Sequence, residues 1–409
     1  MASRSFFTVG LDIGTSHTTA VIADVSREGK ANITGWGRSP SRGLRKGTVI
    51  NVESAIADIS QAVQQAEAMA GTRVRSVCTS ISGSHVKAIN SNGIVAVRGK
   101  EVRQIDVDRV LEAAKAVAIP RDREIFHVLP QEFIVDDQDG IREPRGISGV
   151  RLEARVHIVT GSSAGAQNVL NCVNRCGLSV SDILLSPLAA GRAVLSNEEK
   201  ELGVGLVDLG GGTTDVAVFR AGGVRHTAVL PIGGNHITND IAAGLRTPFA
   251  AAETLKITAG SADLSSIGRD ETIDVVPTGS RPHQSMPRTN LADIIEARVH
   301  EIFALVQREL IKANVDDMMP GGIVLTGGGA LLPGVTRVAE RIFGIPVRIG
   351  VPQAVTGPQE LIASPNAAAA VGLVLHAIEA VDGSGRWYGG QVGPTGVLQR
   401  VGNWFAEMF

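Results

Sequence analysis

Two stretches of this chain place an aspartate just ahead of a turn of glycine and hydroxyl residues: TVGLDIGTSHTTAVIAD near the N-terminus and GVGLVDLGGGTTDVAVFR near the middle. A phosphate is gripped well by backbone N–H groups, and only glycine or small residues let the backbone come that close. Gly14, Thr15 and Ser16 offer one such turn, and Gly210, Gly211, Gly212, Thr213 and Thr214 offer the other. Asp12 and Asp208 precede them. Acids from two opposed turns can hold a hydrated magnesium ion over the phosphates of a nucleotide, because magnesium takes oxygen ligands and keeps several waters. A third cluster, Gly327, Gly328 and Gly329, follows a strand in GIVLTGGGALLPGV and precedes a helix starting near Pro333. Backbone of this kind can lie against a base and ribose while the helix N-terminus favours negative charge. Three clusters at matching strand ends, two of them repeated, point to nucleotide binding.

The elements that must hold these turns follow from the pattern. Each repeated stretch reads as strand, glycine-bearing tip, strand, which is a β-hairpin. Two such hairpins imply two related α/β halves facing one another. VESAIADISQAVQQAEAMAG has helical periodicity and a glycine stop, while AAGLRTPFAAAETLKITAG reads as two short helices broken at Pro248. TNLADIIEARVHEIFALVQREL predicts a long amphipathic helix with Thr289 or Asn290 as N-cap. With RSVCTSIS and RVHIVTG as strands, the fold class is α/β, sheets covered by helices. The expected division is a first half over 1–83 and 162–199, with a small inserted α/β subdomain over 84–161. A second half covers 200–233 and 305–381, with its own subdomain at 234–304. A glycine-rich linker over 382–395 and a terminal helix over 396–409 complete it.

Composition narrows the function classes. A length of 409 residues calls for more than one subdomain, and a net charge of −2 provides no global basic field to recruit nucleic acid. Cys78, Cys172 and Cys176 lack further ligands at metal spacing and are too few for a disulfide framework, so they read as plain thiols in a reducing compartment. The N-terminus lacks the pattern of a signal peptide, and no stretch approaches the roughly 18–20 apolar residues of a membrane-spanning helix. A cytosolic protein is expected.

VGLDIGTSHTTA, VGLVDLGGGTTDVAV and IVLTGGGALLPGV resemble the two phosphate loops and the adenosine motif of the actin/DnaK/sugar-kinase ATPase superfamily. VLPQEF and SPNAAAAVGLVLHA take the places of its two connecting segments. Within the superfamily, HVLPQEFIVDDQDGIREPRGISGVRLEARVHIVTG, RHTAVLPIGGNHITNDIA and RPHQSMPRTNLADIIEAR are similar to the bacterial FtsA cell-division family over nearly the whole chain. The resemblance implies duplicated actin-like (ribonuclease H-like) halves with ATP and Mg2+ between them. It implies that Glu253 and Lys256 reach the adenosine, that the third glycine cluster faces the adenine, and that Gln131 orients an attacking water. A glutamine positions water without being a strong base, so hydrolysis is expected to be slow at most. The actin-type lysine just after the first loop is replaced by His17. The family role is an ATP-binding filament, made by self-association, that ties FtsZ polymers to the cytoplasmic face of the membrane at the division site and recruits other division proteins. The competing reading is a small-molecule kinase of the same fold.

The remaining candidates read more plainly. His85, His127, His157 and His226 sit singly on strand-like segments as packed or surface groups, and Asp136, Asp137 and Asp139 form a solvated turn. Arg288, Asn290, Arg298 and Glu301 resemble the FtsA surface that receives the FtsZ C-terminal peptide, where arginine suits an acidic segment. In the last residues, Val397, Leu398, Val401, Trp404, Phe405, Met408 and Phe409 fall on one stripe of a helix. That stripe suits an interfacial helix on a lipid surface. Arg400 is nearly cancelled by Glu407, so affinity must come from apolar burial and from many copies on one filament.

Overall fold

The computed structural model describes residues 6–380, apart from 27, 269, 280 and 281. The chain opens with the expected hairpin, β1 (Phe6–Ile13) and β2 (His17–Val25), extended by β3 (Ala31–Pro40). A two-residue ribbon, β4 (Leu44–Arg45) and β5 (Thr48–Val49), leads into α1 (Val52–Ala70). The Asn51 side chain accepts from the Ser54 N–H at the start of α1, and Gly71 ends the helix at a φ of 64°. Strand β6 (Ser76–Ile81) then returns parallel to β1.

An inserted unit follows: β7 (Lys87–Ala96), α2 (Gln104–Lys115), β8 (Arg123–Val135), β9 (Gln138–Ile141) and β10 (Arg151–Ser162). Its sheet runs β7-β10-β8-β9, with a separate apolar core between the sheet and α2. α3 (Ser163–Arg175) and β11 (Ser179–Leu185) return the chain to the first half.

α4 (Ser186–Val194) and α5 (Asn197–Leu202) lead to the second hairpin, β12 (Val204–Leu209) and β13 (Thr214–Arg220), extended by β14 (Gly223–Leu230). α6 (Gly234–Gly244), α7 (Phe249–Ala259), β15 (Thr272–Val275), β16 (Gln284–Pro287) and α8 (Arg288–Lys312) form the side unit of this half. β17 (Ile323–Thr326), α9 (Val335–Phe343), β18 (Val347–Ile349), β19 (Val355–Thr356), α10 (Gln359–Ile362) and α11 (Ala368–Glu379) finish the described chain. α8 begins earlier than expected: its N-cap is Pro287, two residues ahead of Thr289, with no side-chain cap bond, because β16 feeds straight into the helix.

The two halves repeat one plan. The first sheet runs β11-β6-β1-β2-β3-β19 and the second β14-β13-β12-β17-β18. In each, the hairpin is central and its first strand has a parallel neighbour, β6 or β17. Two helices, α4 and α11, pass between the sheets. α11 is buried almost all round, as its Ala-rich sequence requires, and it packs against α4 closely enough that a Cβ on Gly372 would lie 1.7 Å from the Ala189 carbonyl oxygen. SPLAAGRAV, the whole of α4, echoes SPNAAAAVG, which leads into α11. The first connecting segment is therefore α4. VLPQEF instead lies inside β8 of the inserted sheet.

That sheet docks on β14, and two expectations change there. Gln131 is the extra residue of a bulge in β8, since Arg155 pairs with Glu132 and Val156 with Pro130. Its amide donates to the carbonyls of Val224 and Arg225 at 3.1 Å each. The histidines are not isolated either. His157 is buried, bonded to Asn90 at 2.7 Å and to Thr227 at 2.9 Å, and its ring meets that of His226 edge-on at 6.1 Å. His226 in turn lies 3.4 Å from Glu309. His127 accepts from the Leu185 N–H at 3.0 Å, and His85 sits in a turn rather than a strand.

Candidate functional site

The strand register sets the site. Asp12 pairs with Thr19 on the first hairpin, and Asp208 pairs with Asp215 on the second. The two hairpins bring their tips to one cleft of about 470 Å³ between the halves. Asp12, Gly14, Thr15 and Ser16 line it from one side, and Asp208, Gly210, Gly211, Gly212 and Thr213 from the other. The tips lie close: a Cβ on Gly211 would sit 1.8 Å from the Ser16 hydroxyl oxygen, and one on Gly212 would sit 2.6 Å from that of Thr15. Ser16 also donates across the cleft to Asn235 of α6 at 3.2 Å.

Glu253, Lys256 and Gly327 to Gly329 form the rest of the expected lining. α7 carries both charged groups on one face, so Lys256 stands 2.7 Å from Glu253, and both bond the Thr238 hydroxyl of α6. Gly327 has a φ of 81°, and a Cβ there would lie 2.2 Å from Asp208 Oδ1, so that position requires glycine.

Two expected residues are elsewhere. Thr214 is the first residue of β13, and strand alternation turns it away from Thr213 and Asp215. Its hydroxyl donates to the Ile232 carbonyl at 2.8 Å inside the second half. Gln131 is absent from the cleft lining because its bulge aims it at β14.

Other lining residues were not singled out from the sequence. Asp215 is buried, accepts from Ser82 of the opposite half at 2.7 Å, and has no partner for its second oxygen among the described residues. Its signal is the register of the repeat: Asp208 is followed after seven positions by Asp215, whereas Asp12 is followed by Thr19. Ser186, at the start of α4, also lines the cleft, as do Pro365 and Asn366 just before α11. The SP-Ala repeat could have located these. Ser80 donates to Asp12 at 2.7 Å.

The electrostatics fit a phosphate-bound cation. Burial holds the Asp208 carboxyl well above its ordinary range, with Asp215 and Asp12 pushing the same way. Asp215 is raised to about 7, by burial first, against bonds from Ser82 and Thr213. Asp12 is raised by burial, opposed by Ser80 and Arg38. A divalent ion would relieve this repulsion and give the orphaned Asp215 oxygen a partner through water. Among the described residues no group of three or more His, Cys, Asp or Glu side chains is placed to hold an ion directly.

The surface expected to take a peptide is internally paired. Arg298 bonds Asp240 through two nitrogens, at 2.9 Å for Nη2, and also Glu301. Arg288 bonds Glu271 at 2.5 Å and the Ala259 carbonyl at 2.7 Å, while Asn290 is exposed. The stripe from Val397 to Phe409 lies outside the described residues.

Comparison with solved structures shows the fold. The chain resembles the PilM-PilN type IV pilus biogenesis complex at a TM-score of 0.66, with 19% identity over 91% of this chain and 98% of that one. It resembles MreB5 of Spiroplasma citri bound to ADP at a TM-score of 0.56, with 16% identity over 90% and 94%. A model of the cell division protein FtsA matches residues 205–372, and one of the SHS2 domain inserted in FtsA matches 83–160. Cell division protein FtsA of Pseudomonas aeruginosa is 46% identical over 98% of both chains, and that of Escherichia coli is 41% identical over 90% of this chain and 89% of its own. The actin-like halves, the inserted domain and this identity along almost the whole length place the chain in the FtsA family of bacterial cell-division proteins.

Proposed function

We propose that the cleft binds ATP with magnesium, and that the bound nucleotide governs assembly of this cell-division protein into filaments. The observation that carries the reading is the facing of two glycine-hydroxyl tips over three acids, Asp12 and Asp208 half-buried and Asp215 buried. Gly14 to Ser16 and Gly210 to Thr213 would surround the phosphates, Glu253 and Lys256 the ribose side, and Gly327 to Gly329 the base. Magnesium, when bound, would neutralise phosphate charge, and Asp12 and Asp208 would orient its waters. Binding rather than turnover is the function this supports, because Gln131 is committed to β14. A small-molecule kinase is not favoured, since the curated relatives are cell-division proteins.

The filament would hold FtsZ polymers at the cytoplasmic face of the membrane as a peripheral protein. No helix among the described residues is long and apolar enough to cross a bilayer, so attachment would fall to the stripe Val397, Leu398, Val401, Trp404, Phe405, Met408 and Phe409. An FtsZ C-terminal peptide at Arg288, Asn290, Arg298 and Glu301 would compete with Asp240, Glu271 and Glu301 for the two guanidinium groups. Electron microscopy on a lipid monolayer tests the whole reading. Ordered arrays with ATP, and none without ATP or without residues 396–409, are expected; arrays indifferent to both would overturn it.

A further inference from the structure

One cation in the cleft is left unexplained by the glycine turns. Asp12 pairs with Thr19, and Thr19 pairs with Arg38, so the three stand in a row across β1, β2 and β3. Residues opposite one another in an antiparallel ladder share a face. All three line the cleft. Thr19 is short, which leaves room for the Arg38 head above it, and the Asp12 charge steadies a guanidinium that burial disfavours.

The hydrogen bonding of Arg38 is incomplete. Its Nε is buried with no partner among the described residues. Its Nη2 lies 3.0 Å from His17 Nδ1. Arginine only donates, so Nδ1 accepts and the imidazole proton sits on Nε2. His17, held near a pKa of about 4 by burial and then by Arg38, is neutral at ordinary pH. The residue that directly follows the first phosphate turn thus supplies no charge itself and orients one that does. A buried guanidinium N–H left open on a half-buried arginine is costly unless an anion meets it.

We propose that Arg38, steered by His17, is the cation that meets the phosphoryl end of the nucleotide. This rests on the nucleotide reading above. The second half has no counterpart, because the equivalent row there is Asp208, Asp215 and Val229.

Calorimetric titration of the full chain with ATP and with AMP, at constant magnesium, tests the proposal, with the unfolding midpoint of each variant taken alongside. Arg38→Gln should weaken ATP on the order of tenfold, as for loss of a charge-assisted bond, and leave AMP nearly untouched. Adding His17→Lys to that variant should return most of the ATP affinity by placing an ammonium on the same strand face. Arg38→Met, which keeps the stem, replaces Arg38→Gln if the latter does not fold. Equal weakening of ATP and AMP, or a lower midpoint with ATP affinity unchanged, would overturn the proposal and leave Arg38 as a counter-charge to Asp12. A wild-type protein that binds neither nucleotide would sink the nucleotide reading itself.

Discussion

The two hairpins share strand order, a glycine-bearing tip and an acid at the end of the first strand, yet their neighbouring side chains differ in sign. On the first, Asp12 is followed across the ladder by Thr19 and Arg38. On the second, Asp208 is followed by Asp215 and Val229. Duplication supplied matching backbone, which is what a phosphate needs from both sides. Divergence then put a guanidinium on one wall and a second carboxylate on the other, so an anion and its cation can be held in a fixed order across the gap. Ser82 reaching Asp215, and Ser16 reaching Asn235, tie the walls together by side chains rather than by a shared strand.

Among substitutions the largest effect is expected at Asp208, the counterpart on the second wall of Asp12 on the first. Asp208→Ala should reduce magnesium-dependent ATP binding by on the order of a hundredfold, read by calorimetry, because it removes a carboxylate that would orient the waters of the ion. Binding within error of wild type would remove the second wall from the account. Asp215→Asn removes the acid the first wall lacks. It should raise the unfolding midpoint of the nucleotide-free protein, since a buried repelling charge is lost, while weakening the magnesium dependence of ATP binding. A lowered midpoint would mean that the Ser82 bond outweighs the repulsion.

The inserted sheet docks on β14, a contact made by the second half. His157 is pushed down to about 3, by burial first and then by the neighbouring His226. An unfolded histidine titrates near 6.5, so the two states bind protons alike above that pH. Below it the unfolded chain gains a proton that the folded chain refuses, and stability should fall by about 1.4 kcal/mol per pH unit from this group. Urea unfolding at several pH values, compared with His157→Gln, reads the slope; identical slopes would show that His157 does titrate when folded. The smallest effect belongs to Gln131. Gln131→Ala should cost about 1–2 kcal/mol of stability through two lost bonds and leave ATP binding unchanged. A loss of turnover with no loss of stability would restore it to the chemistry.

Much of this was legible in the sequence. Both hairpins, the three glycine clusters and the inserted subdomain follow from local pattern, because turns and amphipathic helices are encoded within a few residues, whereas Glu253 and Lys256 were marked only by the family resemblance. The residues that were misread or missed depend on register between distant segments. Thr214 looked like part of the loop until strand alternation turned it inward. Gln131 sat in a plausible motif, but a one-residue bulge decided its direction. Arg38 lies in a strand with no chemical motif and matters only through its ladder partners. Ser186 was marked by the SP-Ala repeat, a signal that works only when α4 and α11 are seen as equivalent crossings.

The two walls would hold a nucleotide through a hydrated ion. Titration of the full-length protein with ATP, once with magnesium and once with the metal chelated, addresses it most directly. Clear binding is expected with magnesium, and a loss on the order of a hundredfold without it, since Asp12, Asp208 and Asp215 would then face the phosphates uncompensated. Equal affinity under both conditions would contradict it.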